Sequence, residues 1–205
     1  MDENFRLDRG KRKAMDEELV ALYRLLRRME ASDAPLALHS MRVAALAVEL
    51  AAFAGVSEWE MRRVYFGALL HDVGKLAIAG EILKKPGRLT QSEYLEIQRH
   101  PVIGARMIAD DPNLYLYEDI VRHHHERPDG TGYPKRLAGA AIPLATRIIT
   151  ACDIFDAITA ARPYRAAMPL ERAFELMERE RDTAIDGRCL EALKRTAAAA
   201  ESPAP

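Results

Sequence analysis

Apolar residues recur along this chain at steps of three and four, and they hardly ever alternate. Met15, Leu19, Leu22, Leu26 and Met29 form one such stripe and predict a helix over about 14–30. Ala34-Pro35 interrupts it. A second stripe, Val43, Leu46, Leu50 and Phe53, predicts a helix over roughly 36–54 that Gly55 ends. Ser57 with Glu60 has the spacing of a capping box and opens a third helix, which runs to Leu70 and delivers His71-Asp72 at its end. Residues 75–89 read as loop, with a turn at Pro86-Gly87. Thr90 with Glu93 caps a helix to about His100, where Pro101 can start another. A helix near 115–126 ends in His123-His124-His125-Glu126, and residues 127–142, rich in Pro and Gly, form a long loop. Pro143 starts a helix carrying Asp153 and Asp156, and weaker helices follow at about 170–181 and 188–199. The expected fold class is all-α.

Composition narrows this picture. The chain has 205 residues, enough for one domain with a small extension. The expected division is an N-terminal helical extension over 1–32, a main domain over 33–199 and a disordered tail over 200–205. A net charge of −1 gives no basic field for a nucleic acid polymer. Two cysteines, Cys152 and Cys189, make no disulfide framework and suit a reducing, cytoplasmic setting. The charged start is no signal peptide. The longest apolar run, 43–56, contains Glu49 and is too short to span a bilayer, so no membrane association is expected.

The candidate chemistry lies in the histidines. All six fall in four short places: His39, His71, His100 and the run 123–125. Histidine is the commonest metal ligand, and neutral imidazole suits Zn, Fe, Mn or Ni. His71-Asp72 is the strongest pair, because an aspartate can bridge two cations about 3.5–4 Å apart. Gly74-Lys75 follows, turning the backbone and presenting a cation. His39 and His100 are weak signals alone. Consecutive helical residues point about 100° apart, so at most two of the three histidines can face one centre, and His123 is the expected spectator. Asp153 and Asp156 lie one turn apart in an apolar helix, where a buried carboxylate needs compensation that a metal would supply.

Taken in order, HSMRV (39–43), HDVGK (71–75), ILKKPGRLT (82–90), HPVIG (100–104), HHERPDGTGYP (124–134), IPLATRIITACDIFDAIT (142–159) and RPYR (162–165) resemble the HD-GYP family. This is a branch of the HD superfamily of metal-dependent phosphohydrolases, and the likeness runs from about residue 33 to 187. The resemblance implies an HD-type helical bundle that hydrolyses cyclic di-GMP at a di- or trinuclear site. The implied metal ligands are His39, His71, Asp72, His100, His124, His125 and Asp153, with Asp72 as the bridge. Members with a third metal carry a glutamate one turn before the first histidine. Pro35 stands there, so two divalent ions, iron or manganese, are expected, with Asp33 the alternative acidic residue for a third.

Two cations would lower the pKa of a water and neutralise a phosphoryl oxygen. In-line attack would then expel the ribose 3′-oxygen. Lys75 would meet the charge building on the phosphate, and Asp156 would orient a ligand or position water. Arg162 and Arg165 match phosphate-binding positions, and Tyr133 would contact the nucleotide. Gly130 and Gly132 would let its loop turn tightly. The resemblance also brings in GGDEF-type diguanylate cyclases as partners. Only about 30 residues precede the match, too few for a sensor or receiver domain, so the input is expected from a separate sensor or receiver protein as partner, from expression level, or from a region upstream of this sequence. A homodimer, another cyclic dinucleotide as substrate, and a weakly catalytic module signalling by contact are the alternatives.

Overall fold

A computed structural model describes residues 9–161 and 167–201. In chain order the helices are α1 (Arg9–Ser32), α2 (Ala34–Phe53), α3 (Glu58–Leu70), α4 (Gly80–Leu83), α5 (Gln91–Ile97), α6 (His100–Ala109), α7 (Glu118–His123), α8 (Leu144–Thr159), α9 (Leu170–Arg179) and α10 (Gly187–Glu201). Tight 3₁₀ turns occupy Val73–Ala77, Tyr115–Tyr117 and Gly139–Ala141. No β-strand occurs among the described residues, as an all-α fold requires.

The caps follow the sequence signals. Ser57 Oγ accepts the Glu60 amide, and Thr90 with Glu93 forms a complete capping box. Asp33 caps α2 by accepting the Leu36 amide at 3.0 Å, and Pro35 sits in the first turn, where its missing N–H costs nothing. The segment 75–89 is not all loop, since it contains most of the turn Val73–Ala77 and the short α4. The C-terminal helix runs to Glu201, past the expected end at 199, because alanine is the best helix former. Residues 202–205 of the expected tail lie outside the described residues.

α1 is packed into the body of the fold. Ala21, Leu22, Leu25 and Met29 are buried with Leu70, Val73, Ile108, Tyr117 and Val121. Burial of a Leu or Met side chain is worth about 2 kcal/mol, so this face alone ties α1 down firmly. The buried face is also rotated from the expected stripe. Leu19 is 45% exposed, whereas the neighbouring Glu18 is buried and accepts hydrogen bonds from Tyr117 Oη and Arg62. On α2 the core face is made of Val43, Ala44, Ala47, Leu50 and Ala51. Phe53 lies outside, under the Arg195 guanidinium at 4.0 Å. As a whole α2 is long and apolar enough to cross a membrane by length and composition, although the run 43–56 by itself is not. Here it packs against α1, α3, α8 and α10.

Two apolar clusters make the core. One joins α2, α3, α8, α9 and α10 around Leu50, Val64, Ile148, Met177 and Leu193, and the other is the α1 cluster. Leu69 belongs to the first and Leu70 to the second, immediately before His71. Ile120 and Val121 divide in the same way just before the histidine run. The polar residues are therefore delivered to the seam between the clusters.

Candidate metal centre

Three helix ends and two helix interiors converge on Asp72. His71 and Asp72 follow the last turn of α3, His100 opens α6, and His124 and His125 follow α7. His39 projects from α2 and Asp153 from α8. The turn after Asp72 lies directly on α6. A Cβ on Gly74 would sit 2.0 Å from the His100 carbonyl oxygen, and one on Gly104 would sit 2.9 Å from the Gly74 nitrogen. Only glycine allows this backbone approach, which brings His100 to Asp72.

The two oxygens of Asp72 face different neighbours. Oδ2 lies 3.3 Å from His71 Nε2, 3.9 Å from His39 Nε2 and 2.6 Å from Lys75 Nζ. Oδ1 lies 3.1 Å from His100 Nε2 and 3.8 Å from His124 Nε2. Asp153 Oδ1 is 3.0 Å from His39 Nε2 and 4.0 Å from His71 Nε2. Two overlapping donor groups result, His39–His71–Asp72 and Asp72–His100–His124–His125, and the ligand atoms of each lie within 4.8 Å of one another.

The tautomers follow from the backbone. His71, His100 and His124 each place Nδ1 at 2.6, 2.7 and 2.8 Å from the carbonyl three residues earlier, on Ala68, Ile97 and Val121. A carbonyl only accepts, so each Nδ1 carries the proton and each Nε2 turns a lone pair to the centre. This explains why buried His71 Nε2 and Asp72 Oδ1 have no hydrogen-bond partner. Orphaned acceptors at full burial are costly, and a divalent cation satisfies them. The donor set therefore fits a metal.

The electrostatics agree. Burial first, then the neighbouring imidazoles, hold His124 well below its ordinary pKa and His125 down at about 3. Burial opposes the charge on Asp72, but Lys75 and His71 outweigh it and its pKa is held well below the usual value. Burial likewise opposes charge on His39, yet Asp153 and Asp156 raise its pKa to about 9. Of the carboxylates that raise His39, Asp153 and Asp72 face the centre, and these two favour positive charge on the side where His39 enters.

Asp156 does not face this centre. Its Oδ2 meets His39 Nδ1 at 2.7 Å, behind the ring, and Arg42 grips both its oxygens at 2.6 and 2.9 Å. Of the roles expected for Asp156, the geometry matches orientation of His39 rather than handling of water. Arg42 was missed by sequence reasoning, and its signal was a cation one turn after His39 on an apolar helix. Thr150 was missed as well: its hydroxyl donates to the His124 carbonyl at 2.8 Å and ties the histidine run to α8. Tyr133 stacks on His125, with ring centroids 4.9 Å apart and planes 28° apart. Gly130 has φ +77°, so the turn needs glycine there, whereas Gly132 is required by contact: a Cβ would lie 2.4 Å from the Arg127 nitrogen. His123 stays outside both donor groups. Arg162 and Arg165 lie outside the described residues.

Residues 15–189 match the HD domain family, described as HD domain. A cyclic di-GMP phosphodiesterase response regulator, RpfG of Xanthomonas campestris pv. campestris, is 39% identical over 88% of this chain and 48% of its own length. The 3′3′-cGAMP-specific phosphodiesterase 3 of Vibrio cholerae is 42% identical over 77% of this chain and 34% of its own. The crystal structure of the cyclic GMP-AMP specific phosphodiesterase V-cGAP3 of V. cholerae superposes with a TM-score of 0.59 at 33% identity, covering 94% of this chain and 42% of that one. The chain thus spans half or less of the length of these relatives. It belongs to the HD domain family and is of the HD-GYP type. That family is metal-dependent, and the buried His/Asp group could bind metal.

Proposed function

We propose that this chain is a cyclic di-GMP phosphodiesterase with two divalent metal ions, iron or manganese, held by His39, His71, Asp72, His100, His124, His125 and Asp153. The observation that carries this reading is the division of Asp72, one oxygen toward His39 and His71 and the other toward His100 and His124. Asp33 is engaged as the cap of α2, which supports two ions over three. Bound metal would supply Lewis acidity and a water of lowered pKa. Lys75 presents an ammonium beside Asp72 to meet charge on the scissile phosphate. Asp156, held by Arg42, keeps His39 in one orientation. Tyr133 forms an aromatic wall for the nucleotide, and Arg162 and Arg165 are assigned to its phosphates. The protein would act in cytoplasmic second-messenger signalling, with GGDEF-type cyclases or a sensor protein as partners.

The relative named as 3′3′-cGAMP-specific, at 42% identity, favours a second reading in which a hybrid cyclic dinucleotide is the substrate. Rates of hydrolysis of both dinucleotides by metal-loaded protein decide between them. His71→Ala and Asp72→Ala are expected to lose metal and activity together, the second more severely because it removes the bridge. Full activity in either variant refutes the assignment. A metal-loaded protein that leaves both dinucleotides intact while binding a GGDEF-type partner would establish the contact-signalling alternative.

A further inference from the structure

Glu126 is 1% exposed and follows the histidine run directly. Its carboxylate forms no ion pair among the described residues. Instead Oε1 accepts the Lys135 amide at 2.6 Å and Oε2 accepts the Leu137 amide at 2.9 Å. The intervening chain wraps around it. The Tyr133 amide donates to the His125 carbonyl at 3.2 Å. Gly132 packs so closely that a Cβ would lie 2.6 Å from both Glu126 Cα and the His125 oxygen. The result is a loop whose tyrosine lies flat on a candidate metal ligand.

Packing alone does not call for a carboxylate here, since an apolar side chain would fill the space without the cost of desolvation. A carboxylate offers two coplanar acceptors on one rigid group, which hold two amides two residues apart at once. The same side chain belongs to the residue next to His125, so anything that fixes the loop on Glu126 also fixes the loop on His125. His125 differs from His71, His100 and His124, whose rings are each set by a backbone carbonyl. Its ring is instead enclosed by other rings, stacked on Tyr133 at 4.9 Å, tilted against His124 at 4.2 Å and edge-on to His100 at 5.0 Å, and of these Tyr133 is the one carried by the loop.

We propose that Glu126 is a positioning residue: by holding the Lys135 and Leu137 amides it keeps Tyr133 stacked on His125 and so fixes that imidazole toward the Asp72 Oδ1 side of the metal centre. The proposal rests on the reading of His125 as a metal ligand. Glu126→Gln tests it, because the variant keeps size but turns one acceptor into a donor facing an N–H. Hydrogen–deuterium exchange in residues 127–137 should quicken at least about tenfold. Metal affinity of the apo protein should fall roughly 10–100-fold, the usual effect of losing a group that supports a ligand. With metal saturating, kcat should fall while KM changes less.

A loop that loosens while metal affinity and kcat stay at wild-type values overturns the positioning role. Should the variant not fold, the wild-type protein still decides the clamp. Its Lys135 and Leu137 amides should exchange at least about tenfold more slowly than exposed loop amides, and fast exchange there overturns the proposal. Wild-type protein that binds no metal would instead refute the metal reading, with the exchange result standing apart from it.

Discussion

Adding one methyl group at Gly74 should disturb both the fold and the metal centre. The new Cβ would sit 2.0 Å from the His100 carbonyl oxygen and 2.5 Å from the Gly104 nitrogen. Both are backbone atoms, so no side chain can rotate away. Ordinary carbon–oxygen contact begins at about 3.2 Å, so α6 or the turn Val73–Ala77 must retreat by about 1 Å. Overpacking of this kind costs roughly 1–3 kcal/mol, and a clash with two backbone atoms belongs at the upper end. For a domain of this size about 3 kcal/mol lowers Tm by roughly 6–12 °C. His100 and Asp72 lie on the two sides of the contact, so the same retreat would lengthen the 3.1 Å separation of His100 Nε2 and Asp72 Oδ1. Metal affinity should therefore fall together with Tm. The assay is calorimetric melting of apo Gly74→Ala, followed by metal titration. Gly80→Ala is the control, because a Cβ there meets nothing within 4 Å. A Gly74→Ala protein that melts within about 2 °C of wild type and keeps its metal affinity would refute the reasoning.

Three further outcomes are expected. Arg42→Ala should leave the fold intact but lower turnover by roughly tenfold, since Asp156 loses the partner that fixes it behind His39; steady-state kinetics and circular dichroism check both halves. Asp186 has a lowered pKa: burial opposes its charge, but hydrogen bonds from Arg147 and from the Cys189 and Arg188 amides outweigh it. Its folded pKa lies below its unfolded one, so it stabilises the fold above about pH 4 and that stability is lost as pH falls through the folded value. Urea midpoints from pH 7 down to about 3 should show this slope, and Asp186→Asn should flatten it. Arg162→Ala should weaken dinucleotide binding with metal content near wild type, as read by calorimetry and elemental analysis; loss of metal would show that Arg162 is misassigned.

The helices were legible because their signals are local. Ser57 and Thr90 mark helix starts through bonds made within one turn, and the prolines at 35, 101 and 143 through a fixed φ and a missing N–H that a first turn does not need. The face that α1 buries was not legible. Periodicity counts apolar residues, and Glu18 is buried only because Tyr117 and Arg62, far off in sequence, satisfy it. The short turn Val73–Ala77 was missed because one turn of 3₁₀ helix has no period to detect.

The sequence by itself determined an all-α chain, and it marked the His and Asp residues that the fold brings together as a candidate metal centre. Residue type and order carry that information, since imidazole and carboxylate are side chains that can ligate a divalent cation. Only the tertiary structure decided how those residues divide. Which histidines face which oxygen of Asp72 depends on the approach of α6 to the turn at Gly74, and on the backbone carbonyls that set each tautomer. That Asp156 stands behind His39, and that Glu126 holds the loop from Gly132 to Leu137, are likewise matters of distance across the fold, which no local pattern encodes.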